Sequence, residues 1–283
     1  MIKNKTVLNC ANTDTNSYRI LQYADSEFLE FNNPICLLGM PGIADVGKFA
    51  VDQLIGILNA EKICDIIFYD YPAGAIIDNS VLSTPKAEIL AYKDKKNIRD
   101  IILITADAQA MTPRGIYEIS DLIADIISKF KIQEIVSLGA FHGQRNLKSE
   151  IGLYVTKTEE FDIKQFDPSN LISKISKGVI IGANGLIPTI AKARFKIPGT
   201  VFLAEIGQQQ SKREGITDLK ASVLLLDNVA RIYDLPIEGV FTDNKVSQLT
   251  EDLENKRKKL EEELNAYTGK TNEIGNDEKA LYI

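Results

Sequence analysis

The run Gly42-Ile43-Ala44-Asp45-Val46-Gly47-Lys48-Phe49 departs from the phosphate-binding loop pattern G-x-x-x-x-G-K-[S/T] only at its last position. In that chemistry backbone N–H groups cradle the phosphates, the lysine reaches their oxygens and the final hydroxyl ligates magnesium. Here Phe49 stands where the hydroxyl belongs, and Asp45 would set a carboxylate among the phosphate oxygens. The residues therefore favour a structural turn over a nucleotide site, with weak anion binding at the following helix N-terminus left open. His142 is the only histidine, so every Ser-His-Asp, Cys-His or multi-histidine metal arrangement needs it or is excluded. It is expected just past the carboxyl end of a strand, in Gly139-Ala140-Phe141-His142-Gly143-Gln144, where ligands of open α/β sheets bind. A lone histidine in a glycine turn is more often a hydrogen-bonded structural residue than a catalyst. Asp107 and Gln109 occupy the matching end of a neighbouring expected strand, and Asn184 opens a helix. Gly42, Asp107, His142 and Asn184 are accordingly a candidate ligand crevice. No catalytic pair, metal site or cofactor is read from the sequence, and a non-enzymatic protein is expected.

These residues are positioned by an alternation of strands and helices. An apolar strand over 35–38 feeds the glycine turn, and a helix with Phe49, Ala50, Val51, Leu54, Ile57 and Leu58 on its buried face follows. The several glycines of the turn are expected to supply positive φ or close backbone approach. Further strands are expected over 63–69, 75–77, 88–92, 101–104 and 132–138, the short middle ones as antiparallel additions. A helix over 113–130 is signalled by Pro113 in its first turn and by Ile116, Ile119, Leu122, Ile123, Ile126 and Ile127. The second half reads as a strand over 152–156, a polar helix over 169–176, a strand over 179–181, a helix over 184–193, a strand over 201–204 and a helix over 218–233. One or two edge strands are expected before residue 31. The fold class is α/β, a three-layer domain with a mostly parallel sheet over 1–240 and both glycine turns at one end of that sheet.

Composition narrows the function. With 283 residues, 45% of them hydrophobic, the chain can build a substantial core and reads as soluble and cytoplasmic. Its net charge of −6, with no stripe of basic residues interleaved with aromatics, argues against nucleic acid. Neither a leader, a targeting helix nor a membrane span is expected. Cys10, Cys36 and Cys64 lack zinc spacing, and reduced buried thiols are the expectation.

Beyond Pro236 the character changes. Over 244–268 a highly charged segment carries Val246, Leu249, Leu253, Leu260, Leu264 and Tyr267 as a narrow coiled-coil-like seam, with Glu261, Glu262 and Glu263 as a solvated face. A polar helix of this kind is poorly stable alone, so docking on its own domain or, preferentially, self-pairing between subunits is expected. Residues 269–283 form an expected disordered tail that ends on the apolar tip Ala280-Leu281-Tyr282-Ile283.

Together several segments resemble the proteasome assembly chaperone family, particularly its archaeal homologues. They are Gly39-Met40-Pro41-Gly42-Ile43-Ala44-Asp45-Val46-Gly47, Asp107-Ala108-Gln109, Gly185-Leu186-Ile187, Ile197-Pro198-Gly199-Thr200-Val201-Phe202-Leu203-Ala204-Glu205 and the late helix. The resemblance implies a phosphorylase-like fold without catalysis, and a homo-oligomer for which it suggests a tetramer, with a related family member as a further partner. Some archaeal members of the family resemble proteasome activators that end in a hydrophobic-Tyr-any residue motif, and Leu281-Tyr282-Ile283 fits it. The motif implies docking between α-subunits of the proteasome core particle: Leu281 fills an apolar site, Tyr282 packs, and the Ile283 α-carboxylate pairs with a lysine. The alternative, from a different class, is a nucleoside- or phosphate-type ligand-binding protein or enzyme that uses the crevice.

Overall fold

A computed structural model describes residues 17–23, 30–78, 80–96, 98–143, 151–166, 172–206 and 218–237, together with the helical positions Gln248, Glu251 and Asn255. The chain divides into two compact units, Met1–Glu238 and Gly239–Ile283. The seam expected over 244–268, the tail, its tip and Cys10 lie outside the described residues, those three positions excepted.

The first unit is built on a nine-stranded sheet. Its strands are β1 (Tyr18–Gln22), β2 (Ile35–Gly39), β3 (Glu61–Phe68), β6 (Ala87–Tyr92), β7 (Ile101–Ala106), β8 (Glu134–His142), β9 (Leu153–Lys157), β10 (Ile172–Lys174) and β11 (Gly199–Ile206). β4 (Ile76–Asp78) and β5 (Val81–Ser83) form a separate hairpin. The order is β1-β3-β6-β7-β2-β8-β11-β9-β10. β7, β2, β8 and β11 run parallel, as do β9 and β10; the other four neighbouring pairs are antiparallel. The sheet is thus mixed, four parallel pairs of eight, where the sequence led us to expect a mostly parallel one. The parallel centre is continuously apolar because both of its faces are covered, and Ile101, Ile102, Leu103 and Ile104 are all buried. Of the antiparallel neighbours in this sheet only β6 and β7 are joined by a short connection, residues 93–100.

Among the described residues four α-helices cover the sheet: α1 (Val46–Leu58), α2 (Pro113–Ser128), α3 (Ala183–Phe195) and α4 (Leu219–Tyr233). α1 packs with α4, and α2 with α3. Local chemistry sets their starts. The Thr112 hydroxyl accepts from the Gly115 N–H at 3.0 Å with Pro113 in the first turn, and Asp218 caps α4 by accepting from the Ala221 N–H at 3.1 Å.

Two expected elements are corrected. In place of a polar helix over 169–176, Ile172–Lys174 forms β10 beside β9; Ile172 is buried, Ser173 and Lys174 are exposed, and the Lys174 ammonium lies 4.3 Å from the Phe161 ring centroid. Pairing with β9, in which Ile172 stands opposite Leu153, won over the polar composition. Residues 179–181 are not a strand: Ile180 packs against Gly185 at the start of α3, and Val179 and Ile181 stay exposed.

The glycine turn also differs from expectation in its detail. Positive φ falls on Ala44 (48°) and Asp45 (46°), whereas Gly42 is extended. The glycines serve close approach instead: a Cβ on Gly39 would lie 2.2 Å from the Gly47 carbonyl oxygen, and one on Gly47 would lie 1.9 Å from that of Leu138 in β8.

On the antiparallel side, buried Asp65 accepts from the Tyr23 hydroxyl at 2.8 Å and the Lys86 ammonium at 2.9 Å, with Lys62 at 3.1 Å. Burial alone would raise its carboxyl, but the Lys86 and Tyr23 hydrogen bonds and Lys62 outweigh that and hold it below the ordinary carboxylate range. Cys36 and Cys64 are buried free thiols, and burial pushes Cys64 up to about 12 and Cys36 upward too.

Two predictions follow from this packing. Gly47→Ala should cost at least about 3 kcal/mol because backbone must move, whereas Gly56→Ala, with nothing within 4 Å of the new methyl, should stabilise α1 by about 0.5–1 kcal/mol; urea titration of both variants checks the opposite signs. The depressed Asp65 carboxyl contributes stability above the ordinary carboxylate pKa that is lost as pH falls through its lowered folded value. Asp65→Asn should therefore melt below wild type at pH 7, by a difference of about 2 kcal/mol in stability, and the gap should narrow on acidification toward pH 3.

Candidate functional site

The carboxyl ends of β7, β2 and β8 carry the residues singled out from the sequence. β2 ends at Gly39, so the N–H and C=O of the next residue, buried Met40, have left the ladder and need other partners. Asn184, the second residue of α3, supplies both: its carboxamide oxygen accepts from the Met40 N–H at 2.9 Å and its Nδ2 donates to the Met40 carbonyl at 3.0 Å. One side chain does the work of a neighbouring strand. Gln109 repeats the device one residue on, donating from Nε2 to the Pro41 carbonyl at 2.7 Å and accepting from the Ala183 N–H at 3.4 Å. Gly182 before α3 takes φ 96°, and a Cβ there would lie 3.3 Å from the Gln109 Nε2.

Gly42, Gln109 and Asn184 are therefore gathered at one point, where a Cβ on Gly42 would lie 3.6 Å from the Asn184 Nδ2. Asp107 turns toward the antiparallel flank and accepts from the Lys86 N–H at 3.1 Å. Crowding by surrounding protein raises its carboxyl above the ordinary range, against the lowering effect of that N–H, although its surface remains exposed. His142 is corrected in position: it is the last residue of β8, in register with Ile206 of β11, and its side chain is exposed, where a glycine turn was expected. The β8–β11 ladder extends four residues past Leu138 because β11 offers backbone partners that far. The described contacts join neither Asp107 nor His142 to the Gly42–Asn184 cluster.

Lys48, the lysine of the loop-like pattern, is folded away from a phosphate position. Its ammonium pairs with Asp52 at 2.8 Å and lies 3.4 Å from the Thr105 hydroxyl, which donates to the other Asp52 oxygen at 2.7 Å. The backbone of the turn is equally engaged: the Asp45 N–H donates to the Gly42 carbonyl, and the Ala44 carbonyl accepts from the Asp218 N–H at 3.2 Å. Among the described residues no group of three or more His, Cys, Asp or Glu could hold a metal ion, and no helix is long and apolar enough to cross a membrane.

Sequence reasoning missed two parts. Asp70 accepts from the Thr112 N–H and hydroxyl at 2.8 and 2.9 Å and so ties the loop after β3 to the start of α2; Pro113 marked the helix start, but neither Thr112 nor its distant acceptor was read. Nor did spacing alone show that Gln109 and Asn184 spend their amides on backbone.

A fold of this kind is shared with known proteins. The PAC2 family model matches residues 36–267. This chain belongs to the PAC2 family. An uncharacterized protein from Methanocaldococcus jannaschii is 26% identical over 241 residues, 85% of this chain and 88% of that protein. Pyrococcus furiosus PbaB, described as an archaeal proteasome activator, superposes with a TM-score of 0.71 at 25% identity, over 87% of this chain and all of that one. Pyrococcus furiosus PbaA, described as an archaeal homolog of proteasome-assembly chaperone, gives a TM-score of 0.65 at 19% identity, over 91% and 97% of the two chains.

The Asn184 clasp has a pH signature. Asn184→Asp should cost about 2–4 kcal/mol at neutral pH, because a buried carboxylate would face the Met40 carbonyl. Its carboxyl pKa should be raised, and the protonated form donates to that carbonyl as the amide did, so the deficit appears as pH rises and closes as it falls. Thermal melts of both proteins between pH 4 and 8 read this; a pH-independent gap contradicts the assignment.

Proposed function

We propose that this protein binds the proteasome core particle through its C-terminal residues, assists assembly of the particle and activates it without nucleotide and without catalysis of its own. The observation that carries the reading is the fold shared with an archaeal proteasome activator over that protein's whole length, in a chain whose sequence places Leu281-Tyr282-Ile283 after a charged helical segment. In this reading Leu281 fills an apolar site between neighbouring α-subunits, Tyr282 packs beside it and the Ile283 α-carboxylate meets a lysine. The domain keeps a phosphorylase-like arrangement, and residues 244–268 act as a coiled-coil-like stalk.

Binding physics requires more than one tail. Ordering a short segment offsets much of what burying two apolar side chains contributes. Useful affinity then comes from several tails held together, whose effective concentration replaces bulk concentration. We therefore propose a cytoplasmic homo-oligomer, a tetramer by family resemblance, in some settings joined by a related family member. Gate opening follows if the tails bind the open ring better than the closed one. The way Asn184 and Gln109 are consumed by backbone at Met40 and Pro41 supports a binding role over small-ligand chemistry in the crevice.

Peptide hydrolysis by a matched archaeal core particle, with no nucleotide added, tests the reading. Wild type should stimulate it. Tyr282→Ala, or one glycine added after Ile283, should weaken the effect at least about tenfold. Binding without stimulation would assign the protein to assembly alone, and absence of binding would refute the proposal.

A further inference from the structure

Asn184-Gly185 is the only Asn-Gly pair in the sequence. In a flexible chain such a pair readily loses its side-chain amide: glycine has no Cβ to shield its backbone nitrogen, so that nitrogen can reach the asparagine Cγ and displace ammonia. The fold nevertheless requires both residues. Asparagine is required at 184 because its carboxamide accepts from the Met40 N–H and donates to the Met40 carbonyl at once. Glycine is required at 185 because a Cβ there would lie 2.9 Å from Ile180 Cγ2 and 3.0 Å from the Ile180 carbonyl oxygen. Two independent packing demands thus set a labile pair at the start of α3.

In the closed domain the geometry blocks the reaction. Asn184 and Gly185 belong to the first turn of α3. Helical side chains lean toward the N-terminus, so the Asn184 carboxamide is directed away from the Gly185 nitrogen that follows it. That nitrogen is itself engaged, its N–H donating to the Gly182 carbonyl at 3.2 Å. Asn184 is buried, and both ends of its amide are held by Met40. Attack therefore requires the start of α3 to leave helical geometry and Asn184 to release Met40. Gln109 restrains that opening, because its amide spans the Pro41 carbonyl and the Ala183 N–H.

We infer that Asn184 is a spontaneous modification site, converted to aspartate or isoaspartate when the start of α3 opens locally. In the open state hydroxide takes the Gly185 N–H proton, the nitrogen bonds to Asn184 Cγ, and ammonia leaves to give a succinimide ring. Water then adds to one ring carbonyl and breaks its bond to nitrogen. Addition at Cγ gives aspartate, whereas addition at the backbone carbonyl leaves the main chain running through the side chain as isoaspartate. One water is consumed and one ammonia released, and the step needs no oxidant, reductant or cofactor. Neither product restores the clasp at neutral pH: an aspartate carboxylate has no donor for the Met40 carbonyl, and isoaspartate lengthens the main chain. Conversion thus makes the opening one-way, and aged copies carry a Met40 backbone without its side-chain partner.

Peptide mapping by mass spectrometry, on the full chain aged at mildly alkaline pH, measures aspartate and isoaspartate at position 184. The pair should convert readily in urea and at least about 100-fold more slowly in native buffer. Gln109→Ala should raise the native rate at least about fivefold, having lost one restraint on the opening. Asp65→Asn weakens the antiparallel flank instead and should leave that rate unchanged, which separates local opening from global unfolding; both variants are aged under conditions where their melts show them folded. Converted wild type, separated by its added negative charge, should melt below the unconverted protein. Absence of conversion in urea, equal rates in urea and native buffer, equal effects of the two variants, or equal melting of the two forms would each overturn the inference.

Discussion

The backbone contact between α1 and β8 is the constraint around which the domain is arranged. A side chain at Gly47 would lie 1.9 Å from the Leu138 carbonyl, and one at Gly39 would lie 2.2 Å from the Gly47 carbonyl. With only hydrogen at both positions the helix sits directly on the β2–β8 seam. That seam is where the order of the sheet reverses, β2 having β7 on one side and β8 on the other. The chain must nevertheless turn sharply from β2 into α1, and it does so through left-handed Ala44 and Asp45. An alanine there costs roughly 1–2 kcal/mol, so surrounding bonds must hold the turn in place. The Asn184 and Gln109 amides do so from one side, and the Asp218 N–H, on the Ala44 carbonyl, does so from α4.

Seen this way, the near match to a phosphate loop has a physical cause other than phosphate. A glycine-spaced strand–turn–helix arises wherever a helix must approach a parallel sheet closely. The residues that would distinguish the two cases are Lys48 and position 49. Lys48 is held by Asp52 and Thr105 on its own side of the sheet, and Phe49 offers no hydroxyl. Asp45, which would repel a phosphate, instead accepts from the Gly42 N–H within the turn. The features that make the sequence a poor nucleotide site are thus among those that stabilise the turn.

Much of the fold was legible because its signals are local. β2, β7, β8 and α2 announce themselves as apolar runs or a 3.6-residue stripe, and Pro113 marks the start of α2. What was not legible depends on distant partners. Ile172–Lys174 became a strand because β9 offered an edge, whereas 179–181 leads into α3 with Ile180 against Gly185. The parallel fraction of the sheet was overestimated for the same reason, since β1 pairs with β3 and β9 with β11 across intervening elements. At the candidate site, residue type pointed to Gly42, Gln109 and Asn184, but only the fold reveals that the amides serve Met40, Pro41 and Ala183. Asp107 and His142 share the end of the sheet yet face other neighbours.

One consequence connects this architecture with its surface. Holding several loops at a sheet end requires polar groups, and this chain draws them from side chains that reach backbone: Asn184, Gln109, Asp70, Asp107 and Asp45. Asp45, Asp70 and Asp107 accept from backbone N–H groups while they keep contact with solvent. The loops are thus tied without burying a charge, and no desolvation penalty has to be offset by an ion pair. The amides of Asn184 and Gln109, which carry no charge, are the groups set deepest, against the Met40 and Pro41 backbone. The division follows from what each group loses on leaving water: a neutral amide that keeps its hydrogen bonds loses little, a carboxylate much more.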